Sequence, residues 1–245
     1  MDLGAVTDRG KVRKDNQDSC YVYQETEDDG VALLLVCDGM GGHNAGNVAS
    51  SLAATVFAGE VRDGLKNARV TGAVCRLMKD ALRKANRAVY DLGKTDAQCR
   101  GMGTTLESAV VMDGDATVMN VGDSRAYHIS DGAIRQVTRD HSVVEDMVER
   151  GDITREQSIN HPNKNLITRA VGTSKDVDAD FFSVGLKPGD GIILCSDGLS
   201  NTVTDEEMLN AFLDVYTAQE ACGELLELAL SRGATDNVTA VILKC

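Results

Sequence analysis

Short runs of apolar or alternating residues recur along the chain and predict β-strands. They cover residues 19–24, 31–37, 104–112, 116–121, 126–129, 192–196 and 238–244. Their lengths, their β-forming residues and their turn-rich borders are typical of strands. Turn signals at Asp113-Gly114, at residues 122–124 and at residues 130–132 separate the central runs. The pattern therefore predicts several consecutive antiparallel strands joined by hairpins in the middle of the chain.

Apolar residues at helical spacing predict two pairs of helices and a shorter single helix. The pairs cover residues 45–61 and 74–92, then 205–216 and 218–230, with Thr204 as an N-cap. The short helix at residues 143–150 ends at Gly151 and leads into a polar segment up to Leu166. Strands, helix pairs and an irregular insert in this order indicate an α+β layout, because β–α–β alternation is missing.

Composition adds limits on the architecture and on the partners. The chain has 245 residues, of which 42% are hydrophobic and 26% charged, values ordinary for a globular protein with a buried core. Two prolines and no Ser/Gly-rich stretch favour one domain over residues 1–245. A net charge of -13 argues against a nucleic-acid partner. The acidic excess either keeps the protein soluble or includes a carboxylate cluster that awaits cations.

Cysteine usage and the amino-terminal segment indicate a cytoplasmic protein. The seven cysteines are scattered without a C-x-x-C pair, so neither a zinc knuckle nor a disulfide framework is indicated. Cys37 and Cys195 lie in apolar runs and are expected to be small buried residues. The charged amino-terminal segment lacks an apolar signal core. No uncharged stretch approaches the ~20 residues of a membrane span, so membrane insertion is not expected.

Aspartates recur where the predicted strands begin or end. The similar junctions LLLVCDG at 33–39 and IILCSDG at 192–198 place Asp38 and Asp197 before a glycine at a strand end. Asp18, Asp123 and Asp236 lie at the edges of other runs. Taken singly, each aspartate is explained as a turn residue. If the strand ends meet, however, the carboxylates would repel one another unless hard cations lie among them, and oxygen ligands favour Mg²⁺ or Mn²⁺ over Zn²⁺.

Other phosphate and metal chemistries find less support. No cysteine is followed six positions later by arginine, so the loop of cysteine-dependent phosphatases is missing. The run at residues 176–180 resembles a calcium loop, but Phe181 and Lys187 replace its required glycine and glutamate, so a solvated loop is expected. The glycines at 39–42 are not followed by Lys-Ser/Thr, which excludes a P-loop. The four histidines show no metal-ligand spacing and are expected to be structural or surface residues.

Eight motifs together resemble the metal-dependent protein phosphatases, the type 2C or PPM family, and particularly its short bacterial members. They are TDRGKVRKDNQD at 7–18, VCDGMGGH at 36–43, GMGTT at 101–105, NVGDSR at 120–125, DHS at 140–142, TRAVG at 168–172, LCSDGL at 194–199 and DNVT at 236–239. One such match is weak. Eight matches in the family's order, nearly from end to end, make coincidence implausible.

The resemblance implies a four-layer α/β/β/α sandwich, in which two antiparallel sheets lie between helix pairs and the cations bind at one edge. It implies that Asp38 bridges two metal ions and that Gly39 contributes its carbonyl, which the missing side chain allows to approach closely. Asp197 and Asp236 would complete the shell of one ion. Asp18 would hold a metal-bound water.

The same resemblance implies hydrolysis of phosphoserine and phosphothreonine in proteins by a hydroxide that bridges two Mn²⁺ or Mg²⁺ ions. Asp123 would bind a third, weaker ion together with Asp197, and Arg13 would bind the substrate phosphate in bidentate fashion. No covalent phosphoenzyme is required. The implied partners are phosphorylated proteins, with a cognate Ser/Thr kinase acting on the same targets, and the enzyme is expected to be a monomer.

Two departures from the family pattern bear on mechanism. Gln17 replaces a glutamate of many eukaryotic relatives, and Met40 stands where animal enzymes have a histidine proposed as general acid. His43 lies three residues later and does not inherit that role by position alone. A flap-like insert at about residues 142–170 is expected to bias substrate choice. Two alternatives stay open: a catalytically dead binding module, and a switch enzyme that acts on phosphorylated anti-sigma-factor antagonists.

Overall fold

A computed structural model describes residues 1–25, 30–41, 45–66, 68 and 71–245. The strands are β1 (Asp2–Asp8), β2 (Asp18–Gln24), β3 (Ala32–Met40), β4 (Gly103–Thr104), β5 (Leu106–Met112), β6 (Asp115–Val121), β7 (Arg125–Ser130), β8 (Ala133–Gln136), β9 (Asp180–Gly185), β10 (Gly191–Cys195) and β11 (Val238–Lys244). The helices are α1 (Ala45–Leu65), α2 (Thr71–Thr95), α3 (Val143–Glu149), α4 (Arg155–Ile159), α5 (Asp197–Ser200), α6 (Asp205–Asp214) and α7 (Ala218–Ser231), with a 3-10 turn at Ala97–Cys99.

The strands form two sheets in which every pairing is antiparallel. One sheet has the order β1-β11-β10-β7-β8, and the other has the order β2-β3-β5-β6-β9 with β4 attached to β3. Helices α1 and α2 pack on the second sheet, while α6 and α7 pack on the first. The sheets bury a third apolar cluster between them. The expected four-layer α/β/β/α sandwich is therefore confirmed.

The continuous apolar run of β3 follows from its place between two apolar layers. Leu33 and Leu35 pack against the α1–α2 layer, whereas Leu34 and Val36 pack against the opposite sheet. Successive side chains of a strand point to opposite faces, so a strand covered on both sides needs apolar residues at every position. Each fully buried leucine contributes about 1.5–3 kcal/mol to folding. Cys37 and Cys195 are fully buried, as expected from their apolar runs.

Two of the three turn signals join paired strands, and the third does not. Asp113 and Gly114 have φ of 53° and 81°, and Asp131 and Gly132 have φ of 52° and 71°. These positive values suit the tight hairpins that join β5 to β6 and β7 to β8. The hairpin predicted at residues 122–124 is wrong, because β6 and β7 belong to different sheets. A turn signal shows that the chain reverses, but not which strand becomes the neighbour.

Other sequence predictions need smaller corrections. The strand at 31–37 does not end at Asp38, because Gly39 and Met40 continue it by pairing with β4. Strands β1 and β9 were not predicted, and β8 was indicated only by the turn before it; the half-buried positions of all three break the apolar pattern. The run at 176–180 is not wholly a loop, since Asp180 begins β9. The helix predicted at 205–216 ends at Asp214, because the backbone of the next residue, Val215, is extended.

The insert after β8 contains more regular structure than its polar sequence suggested. The predicted short helix is α3, which is followed by Gly151 with φ of 75°. The segment predicted to be irregular also contains α4, whose first turn is capped by Thr154 and Gln157 in a reciprocal capping box. Thr204 caps α6 as predicted. Among the described residues, no helix is long and apolar enough to span a bilayer.

Candidate metal centre

The aspartates singled out in the sequence meet at one edge of the two sheets. Asp18 and Asp38 lie directly opposite each other on β2 and β3. Asp197 opens α5 after β10, and Asp236 precedes β11, the neighbour of β10. Asp123 lies where the chain crosses from one sheet to the other. Residues 122–124, for which the sequence predicts a hairpin, instead connect the two sheets and so bring Asp123 to the shared edge.

Four of these carboxylates open onto a single cavity. The cavity has a volume of about 220 Å³ and is lined by Asp38, Asp123, Asp197 and Asp236. Other lining residues come from every part of the edge: Arg13, Gln17, Gly39, Met40, Gly41, Thr105, Asn165, Ile167 and Asn237. Of the residues with predicted roles, only the buried Asp18 is set back from this cavity, and it interacts electrostatically with its members.

The backbone of Asp38 is fixed from the neighbouring strand. Its N–H donates to Thr105 Oγ1 at 2.8 Å. Its carbonyl accepts from Thr105 N and from Thr104 Oγ1, each at 2.9 Å. These bonds fix the main chain of Asp38 at the position where the residue lines the cavity. Neither threonine was assigned a role from the sequence, although both belong to the GMGTT motif.

Two glycines allow the close backbone packing around the cavity. A Cβ on Gly39 would lie 2.1 Å from the carbonyl oxygen of Gly46, in the first turn of α1. A Cβ on Gly198 would lie 1.9 Å from the carbonyl oxygen of Asn237. Glycine is therefore required at both positions for packing alone. At Gly198 this packing brings Asp197 next to the segment that carries Asp236.

Asp18 is buried beneath the other carboxylates and is only partly satisfied. Its Oδ2 accepts from Ser196 Oγ at 2.8 Å and from Thr239 Oγ1 at 2.6 Å. Its Oδ1 is buried without a partner among the described residues. Burial raises the pKa of Asp18 to about 7, and the charges of Asp197 and Asp236 add to the effect.

The pKa values of Asp38, Asp123 and Asp197 are also raised. Burial raises the pKa of Asp38 well above its usual range, and the neighbouring carboxylates raise it further. Burial and Asp197 raise the pKa of Asp123 to about 8. Burial and Asp236 raise the pKa of Asp197, whose carboxylate is within hydrogen-bond reach of Asp38. A cluster of carboxylates with raised pKa values is stabilised by positive charge, which either bound protons or divalent cations can supply.

The donor set fits a hard divalent cation. It consists of carboxylate oxygens and main-chain carbonyls, without a cysteine or a histidine among the described lining residues. The orphaned Oδ1 of Asp18 is a further acceptor beneath the cavity. Within the described ranges, no group of three or more Asp, Glu, His or Cys side chains is already arranged for coordination. The fit therefore rests on the shared cavity and its concentrated negative charge.

Arg13 lies at the rim of the cavity. Its Nη2 is 2.7 Å from Asp236 Oδ2, and about half of its side chain is exposed. The backbone N–H of Gln17 donates to Asn237 Oδ1 at 2.8 Å, and its carbonyl accepts from Gly39 N at 3.1 Å. Met40 lines the cavity. His43 lies outside the described residues.

A larger groove of about 690 Å³ adjoins the cavity and shares Asp123 and Asp197 with it. Its far wall comes from the insert, including Glu145, Arg155 and Ile159. Nothing in the spacing of these residues pointed to a groove, because it forms only where the insert faces the segment after β10. Asn165 and Ile167 extend the insert into the cavity itself.

Comparison with known proteins agrees with this architecture. The sequence matches the family described as Protein phosphatase 2C over residues 9–229. It is 34% identical over 239 residues to the serine/threonine phosphatase stp of Listeria monocytogenes, covering 97% of this chain and 93% of that one. The structure of serine/threonine phosphatase Stp1 from Staphylococcus aureus matches with a TM-score of 0.91 at 35% identity, covering 100% of this chain and 95% of that one.

A third match concerns a metal-loaded protein. The catalytic domain of serine threonine protein phosphatase PstP, solved in complex with two manganese ions, matches with a TM-score of 0.85 at 36% identity. The match covers 98% of this chain and 96% of that one. The fold of this chain thus occurs in a serine/threonine protein phosphatase that binds manganese.

The chain belongs to the protein phosphatase 2C family. The resemblance inferred from the eight motifs is confirmed, as is the expected class of enzyme, a protein serine/threonine phosphatase of the bacterial type.

Proposed function

We propose that this enzyme hydrolyses phosphoserine and phosphothreonine in proteins with Mn²⁺ or Mg²⁺ bound at the carboxylate-lined cavity. The observation that carries this proposal is the convergence of Asp38, Asp197 and Asp236 on one cavity beside Arg13. Two ions form the core of the site, in agreement with the two manganese ions of the PstP structure.

Each residue has a role that fits its position. Asp38 and the Gly39 carbonyl would hold the two core ions. Asp197 and Asp236, on adjoining segments packed through Gly198, complete the shell of one ion. Asp18 acts through a water, which suits its buried position behind the cavity and its unpartnered Oδ1.

Asp123 and Asp197 would hold a third, weaker ion. Both carboxylates line the cavity and also the adjoining groove, so they mark the junction of the two spaces. Asp197 also raises the pKa of Asp123, which supports a cation shared by the two carboxylates.

The bound cations supply a water of lowered pKa and neutralise negative charge on the phosphate. Arg13 binds the nonbridging phosphate oxygens, for which its planar fork of N–H donors is suited. Arg13 Nη2 lies 2.7 Å from Asp236 Oδ2, so a phosphate bound by Arg13 would be adjacent to the cations. Met40 has no proton to donate, so the proton for the leaving seryl or threonyl oxygen is expected to come from water.

The groove beside the cavity binds the polypeptide that flanks the phosphorylated residue. It is continuous with the cavity at Asp123 and Asp197, and it combines the exposed Ile159 with Arg155 and Lys164. A substrate chain entering the cavity therefore has apolar and polar contacts available along the insert. On this basis the insert, which occupies about residues 142–170 of a single phosphatase domain, biases substrate choice.

Partners and location follow from this activity. The enzyme acts on phosphorylated proteins and opposes a Ser/Thr protein kinase with the same targets. It works as a monomer in the cytoplasm. All seven cysteines are free thiols, three of them fully buried, which suits a reducing compartment.

The test is hydrolysis of a phosphothreonine peptide and of an aryl phosphate with Mn²⁺ or Mg²⁺. Asp38→Asn and Asp197→Asn are expected to lose most turnover, and EDTA is expected to do the same to the unmodified enzyme. Asp131→Asn, in a hairpin turn that tolerates asparagine, is the matched control and keeps full activity. Activity that survives both aspartate substitutions and the chelator contradicts the metal mechanism.

The same assay separates the alternatives. Mn²⁺ binding measured by calorimetry without any hydrolysis would indicate a binding module. Activity confined to a phosphorylated anti-sigma-factor antagonist, within a panel of phosphoproteins, would indicate a dedicated switch enzyme. Arg13→Ala is expected to raise KM for the phosphopeptide while leaving Mn²⁺ affinity largely unchanged, because Arg13 binds the substrate and not the ions.

A further inference from the structure

The turn that carries Asp123 is held by a side chain far away in sequence. The N–H of Gly122 donates to His141 Nδ1 at 3.0 Å. The carbonyl of Gly122 accepts from the backbone N–H of His141 at 2.8 Å and from Asn120 Nδ2 at 3.3 Å. His141 thus binds both polar groups of the residue that precedes Asp123.

The backbone of Gly122 needs these hydrogen bonds to hold one conformation. Its φ is 117°, and a Cβ there would lie 2.6 Å from Thr105 Cγ2. Glycine is therefore required, and glycine is also the residue with the greatest backbone freedom to lose. Without contacts that fix the Gly122 peptide, the direction of the next residue, Asp123, would be poorly defined.

His141 is itself oriented by two further residues. Because the Gly122 N–H can only donate, Nδ1 must accept, and the hydrogen of the neutral ring is on Nε2. Nε2 lies 3.2 Å from Asp180 Oδ2, to which its hydrogen can donate, and 3.0 Å from Arg169 Nη1. Arg169 Nη1 in turn donates to Asp180 Oδ1 at 2.9 Å. Burial lowers the pKa of His141, which favours this neutral form.

The same residue marks the base of the insert. The carbonyl of His141 accepts from Thr168 N at 2.8 Å, and Ser142 pairs with Ile167 as an isolated bridge. Asp180 is the first residue of β9 and lies opposite Asn120 of β6. His141 therefore joins the two ends of the insert to the crossing between the sheets.

We propose that His141, oriented by Asp180 and Arg169, is a positioning residue that directs Asp123 toward the third, weaker cation. The inference rests on the proposed role of Asp123 as a ligand of that ion. It gives the insert a physical connection to the metal site, through hydrogen bonds to a single peptide unit. Residues that orient a metal ligand without touching the metal commonly change metal affinity 10- to 100-fold when replaced, roughly the effect expected here.

Three substitutions separate the two bonds of the His141 ring. His141→Asn keeps an acceptor near the place of Nδ1 but does not reach Asp180. His141→Gln reaches toward Asp180 but lacks the acceptor for Gly122. His141→Phe keeps the ring volume and loses both bonds. All three retain the backbone contacts of residue 141, so they differ only in the side-chain contribution.

The measurement is Mn²⁺ binding to the metal-free full chain by isothermal titration calorimetry, with thermal melts of each variant alongside. We expect His141→Gln and His141→Phe to weaken the weakest Mn²⁺ site about tenfold, and His141→Asn to weaken it less than about threefold. The tighter sites stay unchanged in all three. If His141→Phe does not fold, the contrast between Asn and Gln still decides.

Asp123→Asn is the reference that distinguishes the possible failures. If it leaves the Mn²⁺ isotherm unchanged, Asp123 is not a ligand, and both the assignment and the inference built on it fall. If Asp123→Asn weakens the site while the Gln and Phe variants bind like the unmodified enzyme, the positioning role alone is overturned. Equal weakening by Asn, Gln and Phe also overturns it, since packing and not the bond to Gly122 would then be the cause.

Discussion

Glu107 is an acid enclosed between the two sheets, and its replacement gives a quantitative test of the fold. It is fully buried in β5, opposite Val36 on β3 and Asn120 on β6. Strand alternation puts it on the same face as Ala109, which packs against the opposite sheet. Neither carboxyl oxygen has a hydrogen-bond partner in the described part of the chain. Burial, with a smaller effect of Asp140, raises the pKa of Glu107 well above its usual range.

The sign of the effect on stability follows from proton binding. An unfolded glutamate has a pKa of about 4.3. Above this pH the unfolded chain loses the proton while folded Glu107 keeps it, so the unfolded state binds fewer protons. The free energy of unfolding then falls by about 1.4 kcal/mol for each pH unit until the folded pKa is reached. Below the unfolded pKa both states are protonated and the contribution vanishes.

Glu107→Gln removes this dependence, because glutamine has a similar shape and does not titrate. Over the pH range in which folded Glu107 keeps its proton and the unfolded chain has lost it, the variant should gain about 1.4 kcal/mol per pH unit relative to the unmodified protein. Urea unfolding in EDTA measures the difference, since the carboxylate cluster titrates in both proteins and its effect cancels. Glu224→Gln, at an exposed position of α7, is the control and should gain nothing with pH.

A difference between Glu107→Gln and the unmodified protein that stays flat across this pH range would refute the reasoning. It would mean that Glu107 is ionised in the fold and stabilised by a charge or a donor. A loss of stability in the variant at every pH would mean that the carboxyl group donates a bond that the amide does not replace.

The remaining predictions concern packing and helix ends. Chemical denaturation measures the change in stability in each case, and calorimetry measures the change in Mn²⁺ affinity for the last. Thr217→Ala removes the capping box with Glu220 and should cost about 1 kcal/mol, whereas an unchanged midpoint would contradict the role of the cap. Gly59→Ala, within α1 and with no atom within 4 Å of the added Cβ, should gain about 0.5–1 kcal/mol. Gly198→Ala places a Cβ 1.9 Å from the Asn237 carbonyl oxygen and should lower both stability and Mn²⁺ affinity. Unaltered Mn²⁺ binding there would show that the segments of Asp197 and Asp236 need not pack closely.

Helix ends and covered strands could be predicted because their causes are local. The cap at Thr204 depends on a side chain and an N–H three residues apart. The apolar run of β3 and the hairpin turn at Asp113-Gly114 likewise carry their signals within a few residues. Strands β1 and β9 escaped prediction, since a half-buried strand has no clear apolar pattern and is stabilised by pairing with residues distant in sequence.

The order of the motifs and the aspartates at the strand edges indicated which carboxylates and which arginine could form the site. Their shared cavity, the position of Asp123 at a crossing between sheets, and the contact of His141 with that crossing emerge only in the folded chain. The physical reason is the range of the interactions. A turn or a cap is specified by near neighbours in the chain, whereas the distance between Asp38, Asp197 and Asp236 is set by the packing of both sheets together.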